Sequence, residues 1–150
     1  METGNLLIRS FEEHDRLPLR DLYLHTRLHA WTWLDSSAWR PEDFDSVTKD
    51  EQIWVAEENG ELLGFASVWV VDDFLHSLYV APAHLGKRVG KALLEKVQAE
   101  FVARGTLKCL VKNQSAFEFY QRHGWLVESR GDSEDGEYYL MGFGGNSPSP

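Results

Sequence analysis

The sequence is short of several things, and each shortage narrows what the protein can be. It has 1 cysteine, Cys109, so no internal disulfide can staple the fold; within LKCLV this residue reads as a small buried apolar side chain rather than a reactive thiol. No apolar run approaches the ~20 residues of a membrane span. METGNLLIRS also lacks the basic start and apolar stretch of a signal peptide, so the expectation is a cytoplasmic protein without a membrane partner. Positive charge is scarce: 15 Lys+Arg against 24 Asp+Glu give a formal net charge of −9. That argues against a general nucleic-acid binder, because contacts to phosphates supply most non-specific affinity and need a basic face. It suits a cationic acceptor somewhat better than an anionic one, although ordinary acidic solubility is the stronger account. Repeats and low-complexity blocks are absent, and 150 residues that are 43% hydrophobic make one domain able to bury a core.

What is present alternates between two periodicities. LLIRSF (6–11) reads as a strand, and Asp15 can cap a helix that takes Pro18 in its first turn and runs through RDLYLHTRLHAW. After a polar stretch come QIWVAEE, ELLGFASVWVV and FLHSLYVA, rich in β-branched and aromatic residues and punctuated by Glu58-Asn59-Gly60 and Asp72-Asp73: a three-strand meander. Ala92, Leu93, Val97 and Phe101 then fall at helical spacing, in a helix expected to end at Gly105. LKCLV is a short buried strand, SAFEFYQRHG a helix stopped by Gly124, and WLVESR and EYYLMGF closing strands. The order is β-α-βββ-α-β-α-ββ, an α/β domain over 1–143 with a mixed sheet and a loose tail over 144–150.

The segment VAPAHLGKRVGKALL (80–94) runs from a strand through two glycines into a helix. Such a junction aims free N–H groups and the positive end of the helix dipole at one spot, which suits a phosphate. Spacing separates the nucleotide motifs. A P-loop needs four residues between its glycines and a Ser or Thr after the lysine, whereas only Lys87-Arg88-Val89 lie between Gly86 and Gly90, and Ala92 follows Lys91. The dinucleotide pattern G-x-G-x-x-G fails because Arg88 stands where its second glycine belongs.

LYVAPAHLGKRVGKALL resembles the coenzyme A loop of the GNAT N-acetyltransferase superfamily at Leu78, Val80, Pro82, Gly86, Gly90 and the apolar helix behind them. Leu85 occupies the family's usual Arg/Gln position and Arg88 its first core glycine. A second segment, NQSAFEFYQRHGW, resembles the family's C-terminal pattern at Asn113, Ala116, Phe119, Tyr120 and Gly124, with Trp125 in place of Phe. The resemblance covers about 52–143 and implies a single-domain GNAT-like fold and an acetyl-CoA-dependent N-acetyltransferase without a metal. The acceptor would be an amine on a small molecule or a protein, and a homodimer is left open.

The family's fold implies that the LYV strand splays from LKCLV and admits the pantetheine arm. A backbone N–H among Leu78, Tyr79 and Val80 then polarises the thioester carbonyl. The loop Leu85, Gly86, Lys87, Arg88, Val89, Gly90 and Lys91 cradles the pyrophosphate, so a bulky side chain at Gly90 is expected to crowd its approach. Asn113 contacts the pantetheine and Tyr120 assists the departing thiolate. For the base, His76 lies two positions before Leu78, so strict alternation places both on one face; its ordinary pKa near 6.5 suits proton uptake. Asp72 and Asp73, acting through water, are the alternative. His25 and His29 have helical metal spacing but no HExxH or cysteine pair, which excludes a zinc site. Trp31, Trp33 and Trp39 read as core or lid packing, or else as the wall of an aromatic or alkyl-amine pocket. The competing function is a non-catalytic acyl-CoA-binding domain of the same fold.

Overall fold

Ile53 and Val55 pack into one core while their neighbours Trp54 and Ala56 pack into another, so a single strand already shows a sheet covered on both faces. The computed structural model describes residues 5–86 and 88–144. Its elements are β1 (Leu6–Ser10), α1 (Arg16–Ala30), α2 (Asp43–Val47), β2 (Gln52–Glu58), β3 (Glu61–Trp69), β4 (Phe74–Val80), α3 (Val89–Glu100), β5 (Gly105–Leu110), α4 (Gln114–Arg122), β6 (Leu126–Ser133) and β7 (Gly136–Phe143). The expected order is present with α2 added. The strands form one 7-stranded sheet, β1-β2-β3-β4-β5-β7-β6, antiparallel throughout except at β4–β5. Apart from Gly144, the tail lies outside the described residues.

α3 and α4 cover one face. Val89, Leu93, Leu94 and Val97 of α3 are buried there against Leu63, Leu75 and Leu107 of the sheet, and Trp125 fills the far end with no exposed surface. Each such side chain contributes about 1.5–3 kcal/mol by leaving water. The Trp125 indole N–H donates to Gln98 Oε1 at 2.9 Å, so its one polar group is not stranded. α1 and α2 cover the other face, where Leu19, Tyr23 and Phe44 meet Val55 and Phe65. Arg16 and Arg20 tie α1 to α2 by sharing Asp45, at 2.9 and 2.5 Å.

Two departures from the sequence reading trace to single carboxylates. Asp15 does precede α1, but its carboxylate does not cap that helix. It accepts from the Glu12 N–H at 2.8 Å and takes Arg9 in a two-pronged pair at 2.9 Å on both arms. Burial alone would raise this carboxyl; Arg9 and the Glu12 N–H outweigh burial and hold it below the usual range. Secondly, α3 ends at Glu100 rather than Gly105, and Gly105 opens β5. Asp73 explains the early stop. Its buried carboxylate accepts from the N–H groups of Val102, at 3.2 Å, and Ala103, at 2.7 Å, pinning the connection as a loop.

Candidate active site

The sheet opens at its centre. β4 and β5 pair only at Phe74↔Thr106 and Leu75↔Leu107, while β5 continues against β7 through Leu110. From His76 onward, through Leu78, Tyr79 and Val80, this side of β4 therefore has no strand to bond. α4 packs beneath it. Phe119 reaches Val80, since a Cβ on Gly90 would touch both, and Tyr120 is buried beside Cys109, Phe119 and Trp125. Among the described residues the Tyr120 hydroxyl has no hydrogen-bond partner. Burial pushes its pKa up, as it does those of Tyr79 and of Cys109, the thiol rising to about 11. Cys109 is thus the inert buried residue its neighbours suggested.

At the mouth of α3 the backbone turns left-handed twice, at Gly86 (φ 82) and at Arg88 (φ 68). Arg88 adopts the conformation a glycine would hold without strain, with its side chain exposed to solvent. Leu85 and Lys91 are exposed, Val89 is buried, and Lys87 lies outside the described residues. Gly90 departs from expectation. A Cβ there would face inward, 3.4 Å from Phe119 and 3.6 Å from Val80, both ordinary contacts. Bulk at Gly90 therefore presses on α4 and β4, so a Val there tests packing rather than access for a phosphate. Asn113 is the N-cap of α4; its Oδ1 accepts from the Ala116 N–H at 3.4 Å, leaving its amide N–H groups for another partner.

His76 is also displaced from the expected face. β4 carries a bulge at this point: Ser67 opposes Ser77 and Val68 opposes Leu75, so His76 is the extra residue. Leu75 and Leu78 consequently share the α3 face, and His76 turns away from Leu78 toward Glu51, to which its Nδ1 lies at 2.8 Å. Glu51, just before β2, is 8% exposed, and its other oxygen, Oε1, is buried without a partner. The Glu51 carboxylate raises the His76 pKa against the opposing effect of burial. Sequence reasoning missed Glu51, since nothing in its local pattern points to a partner 25 residues away. Asp72 is exposed and Asp73 is committed to the loop after α3. His25 Nδ1 sits 2.8 Å from the Asp21 carbonyl, and among the described residues no three His, Cys, Asp or Glu side chains gather as metal ligands.

The α1 side of β4 carries an aromatic wall. Tyr79, half-buried, has its ring 5.3 Å from Tyr23 and 6.3 Å from Trp31; Trp31 in turn lies 6.4 Å from Trp33 and 6.3 Å from Trp39. The three tryptophans are packed together, in keeping with the lid reading, yet they also border a cleft. Trp33 lines that cleft with Leu110, Lys112, Asp135 and Glu137, at the tip of the β6–β7 hairpin.

A sheet that parts between parallel strands, with a left-handed turn opening a helix at one end of the gap, is the arrangement that the resemblance to acetyl-CoA-dependent acyltransferases implied. The chain belongs to the acetyltransferase (GNAT) family, whose model matches residues 14–125, and it is an N-acetyltransferase. It is 32% identical over 124 residues to the peptidyl-lysine N-acetyltransferase YiaC of Escherichia coli strain K12, covering 81% of this chain and 84% of that one. It is 30% identical to the L-amino acid N-acyltransferase MnaT of the same organism, over 82% and 81% of the two chains. Among solved structures, the PaiA N-acetyltransferase of Thermoplasma acidophilum in complex with coenzyme A superposes with a TM-score of 0.74 at 19% identity, over 93% of this chain and 98% of that one.

Proposed function

We propose that the protein transfers the acetyl group of acetyl-CoA directly to a primary amine, on a small molecule or a protein, within a ternary complex. The observation that carries this reading is the parting of β4 from β5 beside the buried ring of Tyr120. Relatives named for peptidyl lysine and for L-amino acids support a primary amine as acceptor. Acetyl-CoA supplies an activated thioester when bound; the N–H groups at the mouth of α3 fit its pyrophosphate, and the gap and the free amide of Asn113 fit its pantetheine arm. A main-chain N–H of Leu78 or Val80, on the side of β4 turned away from β3, stabilises the oxyanion. The amine nitrogen forms its bond to the carbonyl carbon, the carbon–sulfur bond breaks, and Tyr120 supports the departing thiolate. Having a lysine-like amine neutral at pH 7 costs about 4–5 kcal/mol. His76, the first residue of β4 beyond the β4–β5 ladder and held by Glu51, takes the proton of an amine that approaches on the face of β4 opposite Leu78.

The reading is tested by acceptor-dependent release of free thiol from acetyl-CoA across a panel of amines, polyamines, amino acids and lysine peptides, with mass spectrometry of the products. A binding-only domain would show acetyl-CoA affinity without any acceptor-dependent thiol.

The loop makes its own prediction. A left-handed non-glycine residue costs about 1–2 kcal/mol, so Arg88→Gly, despite the added freedom of the unfolded chain, is expected to raise stability by up to ~1 kcal/mol in urea titration. Because the phosphate donors are main-chain groups, acetyl-CoA affinity by calorimetry is expected to persist. A large loss would transfer the anion contact to the Arg88 side chain.

A further inference from the structure

The arginines of the α1 region are not treated alike. Arg9 is paired with Asp15 and Glu57, and Arg16 and Arg20 are paired with Asp45. Arg27, near the end of α1, makes no ion pair among the described residues, and its Nε is buried without a hydrogen-bond partner. What surrounds it is aromatic: the guanidinium carbon lies 4.0 Å from the Trp39 ring centre, 4.9 Å from Trp31 and 5.1 Å from Tyr23. Rings at these distances satisfy a cation's charge in part but accept no in-plane N–H bonds. The donors along the guanidinium edge remain unmatched, and a planar fork of donors is matched best by a planar pair of oxygens.

The position of this cage gives the fork a purpose. Trp31 and Tyr23 both touch Tyr79, the residue between Leu78 and Val80 on the strand that borders the gap. On the far side of Trp31, Trp33 lines the cleft containing Asp135 and Glu137. Beyond burial, which raises both phenols, Arg27 and Asp135 act with opposite signs on Tyr23 and Tyr79. Both ions thus stand within electrostatic reach of one aromatic wall, and no ion pair joins them among the described residues. A molecule carrying both signs of charge would complement both.

We infer that the acceptor is an amino carboxylate, a free amino acid or a close analogue, whose carboxylate is held by Arg27 within the cage of Tyr23, Trp31 and Trp39 while its amine is drawn past the acidic rim at Asp135 toward Tyr79. This rests on the acetyl-transfer reading above and narrows its acceptor. The overall acidity of the chain is no obstacle, since an amino acid at neutral pH has no net charge and Arg27 supplies the local cation the carboxylate needs.

The test compares L-amino acids with their α-carboxamides as acceptors, in the wild type, Arg27→Gln and Arg27→Lys. Charged hydrogen bonds of about 1.5–3 kcal/mol correspond to ~10- to ~150-fold in binding. The acid-to-carboxamide ratio of kcat/KM is expected to fall by that factor in Arg27→Gln, chiefly through KM for the acid. Arg27→Lys, which keeps the charge and loses the fork, should fall between. Taking the ratio within each protein cancels the different basicity of the two amines, and a merely structural role would lower both substrates together and leave the ratio unmoved, overturning the inference. Should Arg27→Gln fail to fold, Arg27→Lys carries the comparison. Thermal stabilisation by the amino acid alone gives a readout independent of turnover: expected in the wild type and weakened in Arg27→Lys. If no amine releases thiol but this stabilisation depends on Arg27, the transfer reading fails and the carboxylate site stands. If carboxylate-free amines are acetylated as efficiently as amino acids, the transfer reading stands and the carboxylate site fails.

Discussion

Tyr120→Phe is expected to slow acetyl transfer by between ~10-fold and the ~10⁴-fold that a general acid can contribute, with acetyl-CoA affinity nearly unchanged. The ring keeps its contacts with Phe119 and Trp125, so the variant differs only by a hydroxyl that has no partner among the described residues. Removing such a group leaves stability level or slightly higher, which separates a chemical loss from an unfolding one. An ordinary phenol near 10 already sits about 1.5 units above a thiol near 8.5. Burial raises the Tyr120 phenol further. Complete proton transfer is therefore uphill, and the expected contribution is a hydrogen bond to a sulfur whose own charge the same dry site disfavours. The measurement is single-turnover acetyl transfer at saturating acceptor; a wild-type rate with chemistry limiting would reduce Tyr120 to a packing residue.

His76→Ala is expected to lose up to ~10²–10⁴-fold in turnover, most severely below the acceptor's pKa, and to recover in part as rising pH supplies free amine. The sign of a companion experiment follows from the Glu51 pairing. Glu51 raises the pKa of His76, and a histidine must be neutral to accept a proton, so wild-type kcat/KM should fall on the acid side with an apparent pKa above the ordinary value near 6.5. Glu51→Gln should move that limb toward lower pH. Stability shifts the other way. A histidine whose pKa is raised by folding contributes stability that is fully present below about 6.5 and is lost as pH rises through the raised value. The Tm difference between wild type and His76→Ala should accordingly be largest in mild acid and shrink at alkaline pH. A loss of turnover that does not vary with pH would mean His76 only packs, and an unchanged rate would move proton removal to water.

The strands and helices of this domain were legible because their patterns are strong: QIWVAEE was bounded correctly, and FLHSLYVA overran its strand by one residue. The place of the glycine loop, between β4 and α3, was legible too. What escaped depended on events that sequence spacing does not encode. A single bulged residue reversed the facing of His76, because alternation holds only while the register does. Asp73, which reads as a turn residue, reaches 30 positions along the chain to end α3. Gly90 sits in a phosphate-loop pattern, but its bare Cα faces Phe119, a contact that arises only when α4 packs. The Arg27 cage draws on residues 23, 31 and 39, and three aromatics in a loop say nothing alone about which cation they surround.

An open sheet has two borders at which unpaired main-chain groups invite other chains, and proteins guard such borders against aggregation. Here the outer borders are β1 and β6, but the short β4–β5 ladder creates two more, turned inward. Phe119, Tyr120, Val80 and Cys109 belong to one packed cluster beside these inner borders, which places them within the core rather than at the rim of the sheet. The fold thereby keeps its unpaired backbone at the centre of the sheet, flanked by strands on both sides, rather than at an outer edge that another chain could extend.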